Sequence, residues 1–115
     1  MTSAINWKDS IKRSNNNPKL AQDLLDMLSL ELPEFKRLIS HSLANNNRTD
    51  LQAHIHKLHG ACCYCGANDL KTELIPFENT QWVAQLDRPT LTQKVNNLQH
   101  QIDRAITSLN NKDYL

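Results

Sequence analysis

From Leu91 onward an apolar residue returns every three or four positions: Leu91, Val95, Leu98, Ile102, Ala105 and Leu109. That spacing draws a single stripe along an α-helix, because 3.6 residues make one turn. A helix with one apolar stripe is marginal in water by itself and must bury the stripe against other elements. The rest of this chain therefore has to supply partner faces, and it has the residues to do so. Leu20, Leu24, Met27 or Leu28, Phe35, Leu38 or Ile39, and Leu43 trace one long stripe. Leu51, Ile55, Leu58, Cys62 and Cys65 trace a second, and Leu70, Leu74, Phe77, Trp82 or Val83, and Leu86 a third.

Glycine and proline are scarce, two and four residues in 115, and no strand-like alternation stands out. The reading is all-α: one domain over 1–115, an antiparallel four-helix bundle with helices over 18–44, 49–66, 68–86 and 90–110. Ile5-Asn-Trp7 and Ile11 form a short N-terminal capping helix that lays Trp7 across a bundle end. Asn17-Pro18 predicts an N-cap followed by proline at the first helical position. Pro33 is expected to bend or split the long helix, since it removes a donor and crowds the preceding turn. Thr49 or Asp50 can cap the second helix and Asn68 or Asp69 the third, with irregularity around Pro76. Gly66 is expected to end a helix or mark a bend.

Basic and acidic residues nearly balance, 13 against 12, without a basic block or aromatics interleaved with Lys or Arg. Nucleic-acid binding is unsupported. The apolar runs are too short for a membrane span and no signal-peptide pattern stands at Met1, so the chain reads as cytoplasmic, without direct membrane contact. Cys62, Cys63 and Cys65 are an odd number crowded into four positions; that is no disulfide framework and fits reduced thiols. Cys62 and Cys65 read as small core residues.

The stretch from Leu51 to Gly66 carries the chemistry. His56 projects about 140° from the centre of its helix's apolar stripe, at about 100° per residue. Ala53, Gly60 and Cys63 lie on the same outward strip. An ordinary solvated face carries Lys, Glu and Gln, whereas Gly60 costs the helix about 1 kcal/mol relative to alanine. Small residues around one reactive imidazole let another protein come close.

His56-Lys57-Leu58-His59-Gly60, followed by Gly66, resembles the His-x-Leu-Lys-Gly signature of histidine-containing phosphotransfer (HPt) domains. Ile5-Asn-Trp7, Pro18-Lys-Leu20-Ala with Leu24-Leu25, Leu32-Pro33-Glu34 and Phe77-Glu78 also fall where such domains carry similar pieces, so the likeness spans nearly the whole chain. Order and spacing are most similar to the C-terminal HPt domains of BarA-type hybrid sensor kinases, where a histidine also follows the His-Lys-Leu. The resemblance implies a four-helix bundle and a phosphorelay intermediate of two-component signalling. In that reading His56 accepts a phosphoryl group from a receiver-domain aspartate and passes it to a response-regulator aspartate. Gly60 is then the close-approach residue, and His59, Gly60 and Lys57 form the phosphate environment. Ala53, Gly60 and Cys63 dock the receiver, with Lys57 and Lys71 at the rim. The partners implied are the receiver domains of a hybrid kinase and of a response regulator. The domain itself is a monomeric carrier without kinase activity, and any parent kinase would sit in the inner membrane.

His59 departs from the family pattern, standing where most members have lysine. A histidine is charged only in part near neutral pH, which predicts some pH dependence. One His56 nitrogen must face outward to attack, and the other should donate to a partner that the sequence does not name. No glycine-rich phosphate loop occurs. The His56 face itself carries no carboxylate cluster, so Mg2+ is expected on the receiver, and phospho-His56 should hydrolyse slowly with no evident general base beside it. Two other readings stand beside this one. His56, His59 and Cys63 are spaced to converge on a metal, though structural zinc draws ligands from two separated elements. The chain could also be a helical adaptor without chemistry, in which case replacing His56 changes no activity.

Overall fold

The computed structural model describes residues 3–115. Six α-helices follow in order: α1 Trp7–Arg13, α2 Pro18–Ala44, α3 Arg48–Cys63, α4 Asn68–Leu74, α5 Thr80–Gln85 and α6 Arg88–Asn111, with a 3-10 turn at Ile75–Glu78. Among the described residues there is no strand. The bundle has four limbs, α2, α3, the broken α4–α5 limb, and α6. α2 packs on α3 and α6, and α4 packs on α3 and α6, so the limbs close a ring. The core holds Leu51, Ile55, Leu58 and Cys62 of α3 and all six stripe residues of α6, as predicted, together with Leu25, Leu28, Leu32 and Ile39 of α2. On α2 only Leu28 and Ile39 belong to the expected stripe; Leu20 is exposed, Leu24, Phe35 and Leu43 are half-buried, and Leu25 and Leu32 take the inner positions. Each large apolar side chain buried this way stabilises the fold by about 1.5–3 kcal/mol.

The asparagine runs do more than interrupt helices. Asn15, Asn16 and Asn46 take positive φ (60°, 60° and 53°), which asparagine tolerates better than most residues. The last asparagine of each run then caps the next helix. Asn17 accepts from the Leu20 amide at 3.1 Å. Asn47 accepts from the Asp50 amide at 3.0 Å while its own amide donates to Asp50 Oδ2 at 2.9 Å. That reciprocal bonding is why α3 starts at Arg48 and is capped by Asn47, not by Thr49 or Asp50 as expected.

Three further expectations need correction and one is narrowed. Pro33 does not split the long helix: α2 is one element from Pro18 to Ala44. Proline costs a helix about 3 kcal/mol, but Pro33 is exposed and crowds no core neighbour, and the buried Leu25, Leu28, Leu32 and Ile39 on either side outweigh the loss. α3 ends at Cys63, leaving Cys65 and Gly66 beyond it. Neither Asn68 nor Asp69 caps α4, which begins after Ala67 with no side-chain cap. The limb expected over 68–86 is three pieces: Pro76 lies in the 3-10 turn, and Asn79 turns extended to accept from the Trp82 amide at 3.1 Å.

Gly66 is needed for closeness. Its carbonyl accepts from the Asn6 amide at 2.7 Å and its amide donates to Ser10 Oγ at 2.9 Å. A Cβ there would lie 2.2 Å from the Asn6 carbonyl oxygen and 2.4 Å from Ser10 Oγ. α1 is thereby pinned across the bundle end, where Trp7 packs on Tyr114 with ring centroids 5.6 Å apart. No helix among the described residues is long and apolar enough to cross a membrane.

Candidate functional site

α3 turns Ala53, His56, Lys57 and Gly60 to solvent, with Cys63 half-buried at the end of the same strip. The His56 side chain is 75% exposed, whereas His59 is tucked in at 23%. An ideal Cβ built on Gly60 meets no heavy atom within 4 Å. Nothing inside the chain requires glycine here.

The broken limb supplies what α3 lacks. Phe77 is buried in the core and meets Trp82 edge-on, with centroids 5.1 Å apart. Gln52 of α3 donates to the Phe77 carbonyl at 3.0 Å, and Arg48 Nη1 donates to the Val83 carbonyl at 2.8 Å and to that of Leu86. These ties hold the 3-10 turn against α3 with Glu78 at its outer end. Glu78 Oε2 lies 2.9 Å from His56 Nδ1, and Oε1 lies 3.0 Å from His59 Nδ1. A carboxylate only accepts, so His56 Nδ1 carries the hydrogen and donates it. Nε2 then keeps its lone pair as the outward nitrogen. A shallow hollow beside the ring is lined by Thr49, Gln52, Ala53, His56, Glu78 and Thr80.

The opposite flank of α3 is more apolar. Leu24, Met27, Leu28, Ala61, Tyr64 and Cys65 line one concavity between α2 and α3, and Phe35, Leu38, His54, Lys57 and Ala61 line a second that continues it, with Glu31 at the edge of both and Glu34 at that of the second. Met27 and Tyr64 are 55% and 67% exposed. Away from the surface, burial pushes the Cys62 thiol up to about 12 and the Cys65 thiol up to about 11. Both stay protonated at neutral pH and act as core.

His56, His59 and Gly60 are thus brought together, and Ala53, Lys57 and Cys63 share their strip. The structure corrects one expectation: a carboxylate does stand beside His56, contributed from 22 positions further along the chain. Glu78 is the unnamed partner of the second imidazole nitrogen. Periodicity could not link it to His56, because it sits beyond a proline turn; only its place in the Phe77-Glu78 pair hinted at it. His59 faces this carboxylate. Among the described residues, no group of three His, Cys, Asp or Glu side chains is arranged to hold a metal ion, His56, His59 and Cys63 included.

The Hpt domain family matches residues 23–111. Over 67 residues, 58% of this chain, the sequence is 36% identical to the signal transduction histidine-protein kinase BarA of Shigella flexneri and 34% identical to that of Escherichia coli K12. The matched segment is 7% of the length of those kinases. In three dimensions the chain is similar to the crystal structure of the HPT domain from the Hpt sensor hybrid histidine kinase from Shewanella. That match has a TM-score of 0.84 at 27% identity, covering 94% of this chain and 92% of the other.

Proposed function

The chain belongs to the Hpt domain family and serves phosphotransfer in two-component signalling; from that premise we propose that His56 is the phosphoacceptor. The observation that carries this reading is an exposed imidazole whose Nδ1 is engaged by Glu78 at 2.9 Å, beside a glycine with open space where a side chain would be.

The chemistry follows from that arrangement. A receiver-domain aspartyl phosphate approaches over Gly60. The Nε2 lone pair of His56 attacks phosphorus as the bond to the aspartyl oxygen breaks, and the electron pair leaves with the aspartate. The ring becomes a phosphoimidazolium that keeps its Nδ1 hydrogen, and the Glu78 carboxylate faces the new positive charge. No proton has to be removed before attack, and the same step run backward delivers the group to a second receiver. Mg2+ comes with the receiver in this scheme.

Docking uses Ala53, Gly60 and Cys63 together with the apolar α2–α3 flank, where Met27 and Tyr64 stand exposed. Lys57 lies between that flank and His56, at the rim of the phosphate site. Such contacts are small and transient. The chain acts as a cytoplasmic monomer, and its partners are the receiver of a hybrid kinase and that of a response regulator.

The test is transfer from a phosphorylated receiver domain. The chain should gain an acid-labile, base-stable label that His56→Gln abolishes and His59→Gln does not. Label persisting in His56→Gln refutes the assignment.

A further inference from the structure

Glu78 holds one carboxylate between two imidazoles of α3. Oε2 faces His56 Nδ1 at 2.9 Å and Oε1 faces His59 Nδ1 at 3.0 Å. Among the described residues Glu78 has no other hydrogen-bond or ion-pair partner. The second approach is an ion-pair contact by distance, and it is attractive only with a hydrogen on His59 Nδ1, since a bare lone pair there would repel the oxygen. The two rings differ in access. His56 is open to solvent, while His59 is largely covered and turned toward the carboxylate.

Resting on the reading of His56 as phosphoacceptor, we propose that His59 is a positioning residue. It grips Oε1 of Glu78 and so aims Oε2 at His56 Nδ1, acting through the carboxylate and not on the phosphoryl group. A glutamate has three rotatable bonds, and at the rim of a four-residue turn it samples several staggered states. Only some of them reach His56. His59 is three residues from His56, so it lies on the neighbouring position of the same helix and selects the rotamer that serves both rings. The consequence falls on the tautomer. A free neutral imidazole favours hydrogen on Nε2, which would block the outward nitrogen. A carboxylate fixed at Nδ1 reverses that preference and leaves Nε2 with its lone pair.

The experiment reads the tautomer directly, by 15N chemical shifts of the imidazole nitrogens of His56 in the full chain, in mildly alkaline buffer. Wild type should show the Nδ1–H form as the major species. Glu78→Ala and His59→Leu should both make it the minor one. His59→Asn, whose amide N–H stands near the place of Nδ1, should retain it; His59→Ala repeats the reading if leucine disturbs α3. Transfer to His59→Leu from a phosphorylated receiver should slow several-fold, with the label still on His56. An unchanged tautomer in both His59→Leu and His59→Ala overturns the proposal, and slow transfer with an unchanged tautomer would mean that His59 acts on the phosphoryl group itself. The tautomer measurement needs no receiver, so a failure of His56 to accept label would be seen separately.

Discussion

Beside Gly66, a Cβ would stand 2.2 Å from the Asn6 carbonyl oxygen; beside Gly60, six residues earlier, it would meet nothing within 4 Å. Both glycines leave room for a close approach, but the molecule fills only one of the two spaces itself. At Gly66 the occupant is α1, held by the bond from the Asn6 amide to the Gly66 carbonyl and the bond from the Gly66 amide to Ser10 Oγ. At Gly60 the space opens outward on the strip that carries His56. A glycine that costs its helix about 1 kcal/mol and meets no neighbour has no role in folding that packing can account for. The difference teaches that a small residue can be structural or functional in the same stretch of chain, and that the neighbour of its missing side chain decides which.

Substitutions should separate the two sites by the sign of their effect. The largest belongs to Gly66→Ala. The added methyl displaces Asn6 or Ser10 and weakens both bonds, costing about 3 kcal/mol from overpacking and from buried groups left unpaired. A lowered urea midpoint would register it. Gly60→Ala should do the opposite and stabilise the chain by about 1 kcal/mol, because alanine suits a helix better and has room. Equal losses at the two positions, read in the same titrations, would erase the comparison.

The smallest effect lies outside both glycines, at the start of α6. The Thr90 side chain and amide hold the Asp87 carboxyl below its ordinary range. A depressed value in the folded state gives stability that is complete above the unfolded carboxylate value and is lost as pH falls through the depressed one. Asp87→Asn keeps a capping oxygen but does not titrate. The small advantage of wild type over this variant at neutral pH should therefore shrink on acidification, as thermal unfolding at stepped pH would record, and phosphotransfer should be unaffected.

Much of the fold is legible in the residues. The stripe from Leu91 to Leu109 and that of α3 are buried where periodicity puts them, and Asn17 caps α2 as expected; on α2 the inner face is Leu25, Leu28, Leu32 and Ile39, because a leucine-rich helix offers more than one apolar line and the packing selects one. What escaped depends on groups that sequence spacing does not join. Pro33 is tolerated because of where it faces, a property of the assembled bundle. Gly66 reads as a helix end, whereas its contacts come from Asn6 and Ser10, more than fifty residues away. At the site, His56 and Gly60 announce themselves by their helical neighbours. Glu78 does not, because reaching His56 needs the turn at Pro76, the burial of Phe77 and the bond from Gln52 acting together.

The most direct measurement is made on Gly60→Glu, reading the unfolding midpoint and the rate of phosphoryl transfer from a receiver on the same preparation. Glutamate is a better helix former than glycine, so the protein should be at least as stable as wild type while transfer to His56 is lost. Wild-type transfer in that variant would contradict the account, since the space over Gly60 would then not be where the receiver comes in.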